Sequence, residues 1–141
     1  MGYSPDQSPQ FQGFYNRSPG LSSAGSYQIA GTPFITGSTI ASGQEVEIEF
    51  PNVTRSITII NKDASSDDIR VHFQSKDTAR TIAGIHYITL DSLNSSLTMN
   101  IKCNSVYLSA PGADATFEMY AELTGIGEGV MFPLTGSGID E

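Results

Sequence analysis

The sequence predicts an all-β fold, an antiparallel β-sandwich built as a single jelly roll of about eight strands with extended N- and C-terminal arms. Three observations predict it. Apolar residues recur with period two through most of the chain. Clusters of Asn, Asp, Ser and Gly separate these runs at sandwich-like intervals. No helix of ordinary length is visible, and 141 residues suit one domain with one real core.

Residues 1–25 form the first segment. Fifteen of them are Gly, Ser, Pro or Gln, and only Asp6 and Arg17 are charged. Such a stretch cannot bury enough apolar surface to offset its own ordering entropy. Tyr3, Phe11, Phe14, Tyr15 and Leu21 are nevertheless spread along it. It reads either as a free tail or as an arm that lays these side chains into grooves on neighbouring subunits. The arm is the preferred reading, with Phe11, Phe14 and Tyr15 as candidate assembly contacts.

The β domain spans residues 26–124. Ser26 to Ala30 and Pro33 to Thr36 read as two short strands split by Gly31. Glu45 to Phe50 alternates strictly, with Val46, Ile48 and Phe50 on one face and three glutamates on the other. Pro51 ends it. Arg55 to Ile60 is rich in β-branched residues. Ile60 breaks its alternation, so it faces outward or marks a bulge. A polar loop, Asn61 to Asp68, precedes Ile69, Val71 and Phe73. Ile85 to Leu90 reads as a strand, and Leu97, Met99, Ile101 and Cys103 alternate along the next. Val106 and Leu108 make a short strand. Phe117, Met119, Ala121 and Leu123 alternate in the last, a segment whose composition also suits a short helix.

The alternating apolar residues from Val46 to Leu123 are the candidate core, and Phe73→Ala is expected to cost about 3–5 kcal/mol if that ring is fully buried. The middle framework is nearly free of glycine and proline, as strand interiors prefer. An eight-stranded jelly roll fits best. An immunoglobulin-like sandwich is the alternative, although its usual tryptophan and cysteine pair are absent. Residues 125–141 form a glycine-rich segment. It reads either as an extended piece crossing a neighbour, with Met131 and Phe132 as contacts, or closing a sheet edge, or else as an exposed tail.

Composition excludes several functions. The formal charge is -8, and seven basic residues are scattered from Arg17 to Lys102, which argues against a nucleic-acid surface. No apolar run is long enough to span a membrane, and the first residues carry no secretory pattern. Cys103 is the only cysteine, so neither an intrachain disulfide nor a thiolate cluster is available.

Chemistry is sparse. His72 and His86 are the only imidazoles. His72 falls on a polar strand face beside Arg70 and Gln74. Cys103 falls on an apolar face, where a thiol is usually core. No nucleophile elbow, phosphate loop or zinc-binding helix occurs. The Asn61–Asp68 loop has oxygen ligands at calcium-like spacing but lacks the central glycine and closing glutamate of an EF-hand. Three Asn-x-Ser/Thr triplets, at Asn16, Asn52 and Asn94, have no signal peptide to accompany them. Tyr107 and Tyr120 lie opposite the apolar residues, as a sugar-stacking site would need. The expectation is a non-enzyme with no cofactor and no metal.

The runs from Gly31 to Ser38, from Phe50 to Asn61 and from Ile69 to Phe73, with the ending Leu134-Thr135-Gly136-Ser137-Gly138-Ile139, carry a resemblance. They resemble small single jelly-roll capsid proteins of large icosahedral DNA viruses, of the kind that occupies five-fold vertices. The resemblance covers most of residues 27–139. It implies a non-enzymatic virion component, assembled in the host cytoplasm as a homopentameric ring that contacts a major capsid protein. It supplies no catalytic residues. Trimeric decoration and head-fibre proteins of tailed phages share this texture, and a small carbohydrate-binding sandwich is the alternative of another class.

Overall fold

The computed structural model describes Leu21, residues 30–78 and residues 80–141. Eight strands run β1 (Thr32–Ile40), β2 (Glu45–Glu49), β3 (Asn52–Asn61), β4 (Ile69–His72), β5 (Ile88–Leu90), β6 (Ser96–Met99), β7 (Ser105–Ser109) and β8 (Ala115–Gly127). A 3₁₀ turn, Glu128–Val130, comes after them. No helix among the described residues is long and apolar enough to cross a membrane.

The strands form two four-stranded sheets, ordered β1-β8-β3-β6 and β2-β7-β4-β5. Every pairing is antiparallel. β1 pairs with β8, β2 with β7, β3 with β6 and β4 with β5, so partners mirror one another about the β4–β5 connection. The chain is thus one long hairpin rolled up until β3 meets β8 and β4 meets β7. This is the jelly roll, with its two Greek keys.

The alternating apolar residues meet between the sheets. Phe50, Ile57, Ile59, Ile69, Val71, Val106, Leu108, Phe117, Met119 and Leu123 are buried there. Val46, Ile48, Phe73, Leu97, Met99 and Ile101 pack against them at the margins, each partly buried. Phe73 therefore falls short of the full burial that a loss of 3–5 kcal/mol requires. Phe34 and Phe50 meet edge to face, 5.2 Å between centroids. Cys103 is buried in the same core.

Several boundaries differ from expectation, each for a local reason. β1 is one nine-residue strand that passes straight through Gly37. A Cβ there would come within 2.9 Å of the Phe117 carbonyl, so only glycine lets β1 lie this close to β8. The 26–29 part of the first expected strand lies outside the described residues, and Ala30 and Gly31 precede β1 without strand structure. The expected strand from Ile85 is shortened to Ile88–Leu90. Residues 80–86 are held in turns by bonds such as Gly84 N to Arg80 O at 2.7 Å, and Ile85 sits at φ 59°. The expected strand to Cys103 stops at Met99. There β3 bulges on either side of Thr54, whose hydroxyl donates to the Ile101 carbonyl at 2.9 Å and accepts from Cys103 N at 3.2 Å. The side chain thus adds two bonds beside the main-chain bond from Thr54 N to Cys103 O at 2.9 Å, in place of a regular ladder. Ile60 marks no bulge; its partner across the ladder is Glu118, and it faces outward. β8 is a strand rather than a helix and extends to Gly127, because β1 and β3 take up its hydrogen bonds on both sides.

The glycine-rich end packs against its own chain. Met131 sits with Val53 and Ile126, and Leu21 and Leu134 close this second small cluster. Beyond it the chain folds back onto the β4–β5 connection. Gln74 Nε2 donates to Leu134 O at 2.7 Å, Thr81 Oγ1 to Ile139 O at 3.3 Å, and Arg80 N to Asp140 O at 3.1 Å.

Candidate functional site

The two sheets present unlike outer faces. On the β1-β8-β3-β6 sheet, Ile35 lies directly across from Tyr120, and Tyr120 across from Thr58. Ile35 is 77% exposed and Tyr120 41% exposed. With Ile60, Gly37 and Glu118 they line a shallow, mainly apolar groove. Threonines flank it, paired hydroxyl to hydroxyl at 3.0 Å: Thr39 with Thr116 and Thr58 with Thr98. Charge is scarce on this face, and Glu122 is bridged to Arg55 at 3.5 Å. Strand β1 forms the edge of this sheet.

The outer face of the β2-β7-β4-β5 sheet is polar and partly roofed by the β4–β5 connection. His72 lies on the face expected for it but is almost wholly buried beneath that roof, 1% exposed. Its Nδ1 lies 2.7 Å from the Gln74 carbonyl, which can only accept, so Nδ1 carries the proton. In the neutral ring Nε2 is then the acceptor, and Ser109 Oγ donates to it at 2.9 Å. Burial is the main cause that holds this imidazole below its ordinary pKa, which favours that neutral form. Tyr107 stacks on the ring at 6.0 Å. Burial, then the Glu47, Glu45 and Glu49 carboxylates, pushes the Tyr107 hydroxyl up. The Gln74 carbonyl holds the ring in this tautomer, so Nε2 is the basic nitrogen that faces the Ser109 hydroxyl. The Ala110 N–H beside Ser109 is already bonded to the Gln44 carbonyl, so it does not serve as an oxyanion donor.

Next to this pair a cleft of about 270 Å³ opens between sheet and roof, lined by Arg70, Ser109, Lys76, Asp77, Ile82 and Gln44, among others. Glu45 anchors the roof, accepting from Ser75 Oγ and from Lys76 N, each at 2.8 Å. Sequence reading singled out His72 but missed Ser109, since serine in a strand carries no signal until its neighbour across the ladder is known.

The other sequence candidates have simpler surroundings. Cys103 Sγ lies 3.4 Å from Thr54 Oγ1, and burial raises its pKa, so the thiol stays protonated among core side chains. His86 keeps a buried Nδ1 with no hydrogen-bond partner among the described residues. In the Asn61–Asp68 loop, Asp63 Oδ2 accepts from the Ser65 and Asp67 amides, both at 3.1 Å. These amide bonds, led by that of Asp67, hold the Asp63 carboxyl below its ordinary value. Among the described residues, no three His, Cys, Asp or Glu side chains are grouped to hold a metal ion. Phe11, Phe14 and Tyr15 lie outside the described residues. Of the C-terminal contact candidates, Phe132 is 57% exposed, whereas Met131 is turned into its own chain and buried.

No protein family matches the chain, and no curated protein matches it. Among solved structures it is similar to one described as "Crystal structure of PirA", at 14% identity and a TM-score of 0.43, covering 64% of this chain and 95% of that one. A functional reading of this protein therefore rests on its own residues.

Proposed function

We propose that this protein is a non-enzymatic structural component of a virus particle, a vertex (penton) capsid protein that assembles as a homopentameric ring and contacts a major capsid protein. One observation carries the assembly part of this reading: the sparsely charged, apolar-centred outer face of the β1-β8-β3-β6 sheet, with the β1 edge beside it. Exposed Ile35 and Tyr120 side by side give an anchor of the kind found at interface centres. The chain carries a net charge of -8, so copies repel one another. That repulsion is least where charges are fewest, which favours a second copy as the occupant of this face. A closed ring requires two different faces per subunit. Exposed Phe132, with Phe11, Phe14 and Tyr15 of the arm, supplies the second set of contacts in this proposal.

Native mass spectrometry of the full chain, alone and in assembled particles, tests it. The expected result is five copies around an axis. Ile35→Glu and Tyr120→Glu should dissociate the ring while circular dichroism stays unchanged. Removing residues 1–25 should leave the sandwich folded and block incorporation. Three copies would move the assignment to a decoration protein. A persistent monomer, or a Tyr120→Glu chain that assembles normally, refutes the role given to this face.

A further inference from the structure

Arg70 stands out among the basic residues. It projects from β4 on the outer side of its sheet, in a cross-strand row with Ser109 and Glu45. Its guanidinium carbon lies 4.4 Å over the Tyr87 ring. Stacking of this kind holds the planar fork in place without occupying its N–H donors. Among the described residues Arg70 makes no hydrogen bond and no ion pair. The chain holds fifteen carboxylate side chains, yet none of the described ones reaches this half-buried arginine. Lys76, on the opposite wall of the same cleft, pairs with exposed Asp77 at 3.2 Å. Glu45, farther along the row, is already held by Ser75 Oγ and Lys76 N.

A fixed guanidinium fork with free donors suits a carboxylate, which it binds through two parallel hydrogen bonds. Ser109 specifies the second feature of the ligand. Its one proton goes to His72 Nε2, so toward the cleft its oxygen can only accept. An accepting oxygen beside a carboxylate site calls for a ligand hydroxyl. We propose that this cleft binds a small hydroxy-carboxylate, a sugar acid by chemical class, with Arg70 taking the carboxylate and Ser109 Oγ accepting from a neighbouring hydroxyl. A volume of about 270 Å³ fits a single such unit.

The test is a titration of the full-length protein with sodium glucuronate, monitored by NMR at the Arg70 Nε–H and the His72 ring. Sodium acetate and glucose serve as probes with only one of the two features. The expected result is saturable shifts at both residues with glucuronate, and binding at least about tenfold weaker for acetate and for glucose. Arg70→Gln should weaken glucuronate about tenfold to a hundredfold, the range for a charge-assisted pair. Arg70→Lys should fall in between, because it keeps the charge and loses the fork. Ser109→Ala should narrow the preference for glucuronate over acetate. Its fold is checked by the unchanged spectrum of the β1-β8-β3-β6 sheet. Absence of saturable shifts at Arg70, or an Arg70→Gln chain that binds as the parent does, overturns the site. Equal affinity for acetate and glucuronate overturns the hydroxy-acid assignment.

Discussion

Replacing Asn61 with alanine removes a side chain that ties one sheet to the other. Asn61 ends β3 in the first sheet and is fully buried. Its Nδ2 donates to Leu90 O at 3.0 Å, at the end of β5 in the second sheet, and to Asp67 O at 2.8 Å, just before β4. Its Oδ1 accepts from Asp63 N at 2.9 Å. The bond to Leu90 is buried, so that carbonyl has no access to water once the amide is gone, at a cost of about 1–3 kcal/mol. The other two partners are partly exposed and regain water, so each loses only the net worth of a hydrogen bond, about 0.5–1.5 kcal/mol. The total is about 2–6 kcal/mol, a large share of the stability of a domain this size. Equilibrium urea unfolding measures it as a lower midpoint at unchanged slope. Asn61→Asp should be at least as damaging, because it loses both donors and adds charge beside Asp63. A shift equivalent to less than about 1 kcal/mol for Asn61→Ala would refute the view that this amide joins the sheets.

Phe117→Ala empties a site that is 1% exposed and should cost about 3–5 kcal/mol in the same assay, whereas partly buried Phe73→Ala should cost about 1–3 kcal/mol. Equal losses would contradict the burial difference. His72 gives a pH dependence whose sign comes from its lowered pKa. The unfolded chain takes up a proton near the ordinary value of 6.5, and the folded chain does so only at lower pH. Stability from this group is therefore complete above about pH 6.5 and declines as pH falls below it. A melting-temperature series should show that decline, and His72→Gln should flatten it; an identical slope in the variant removes His72 as its source. Chelator treatment should leave the melting temperature unchanged, since Asp63 already caps backbone amides of its loop. A large drop would mean that a bound cation stabilises the fold.

The sequence by itself determined the class of this protein and most of its core. Alternation within the strands between Val46 and Leu123 assigns most side chains to a face, and a one-residue slip would expose the whole set, so sandwich and core were both legible. Alternation is local, however, and three features lay beyond it. The strand limit at Ile85 was set by consecutive short-range turns that alternation does not register, and the limit at Cys103 by the hydroxyl of Thr54, distant in sequence. Asn61 read as the start of a loop because its three partners come from separate segments. The polar pair His72 and Ser109, with Arg70 beside it, exists only because β4 and β7 are neighbours in the rolled hairpin and the β4–β5 connection closes over them. A strand pattern states which way a residue points; which residue it meets there is decided by long-range pairing, and that is where the chemistry of this chain resides.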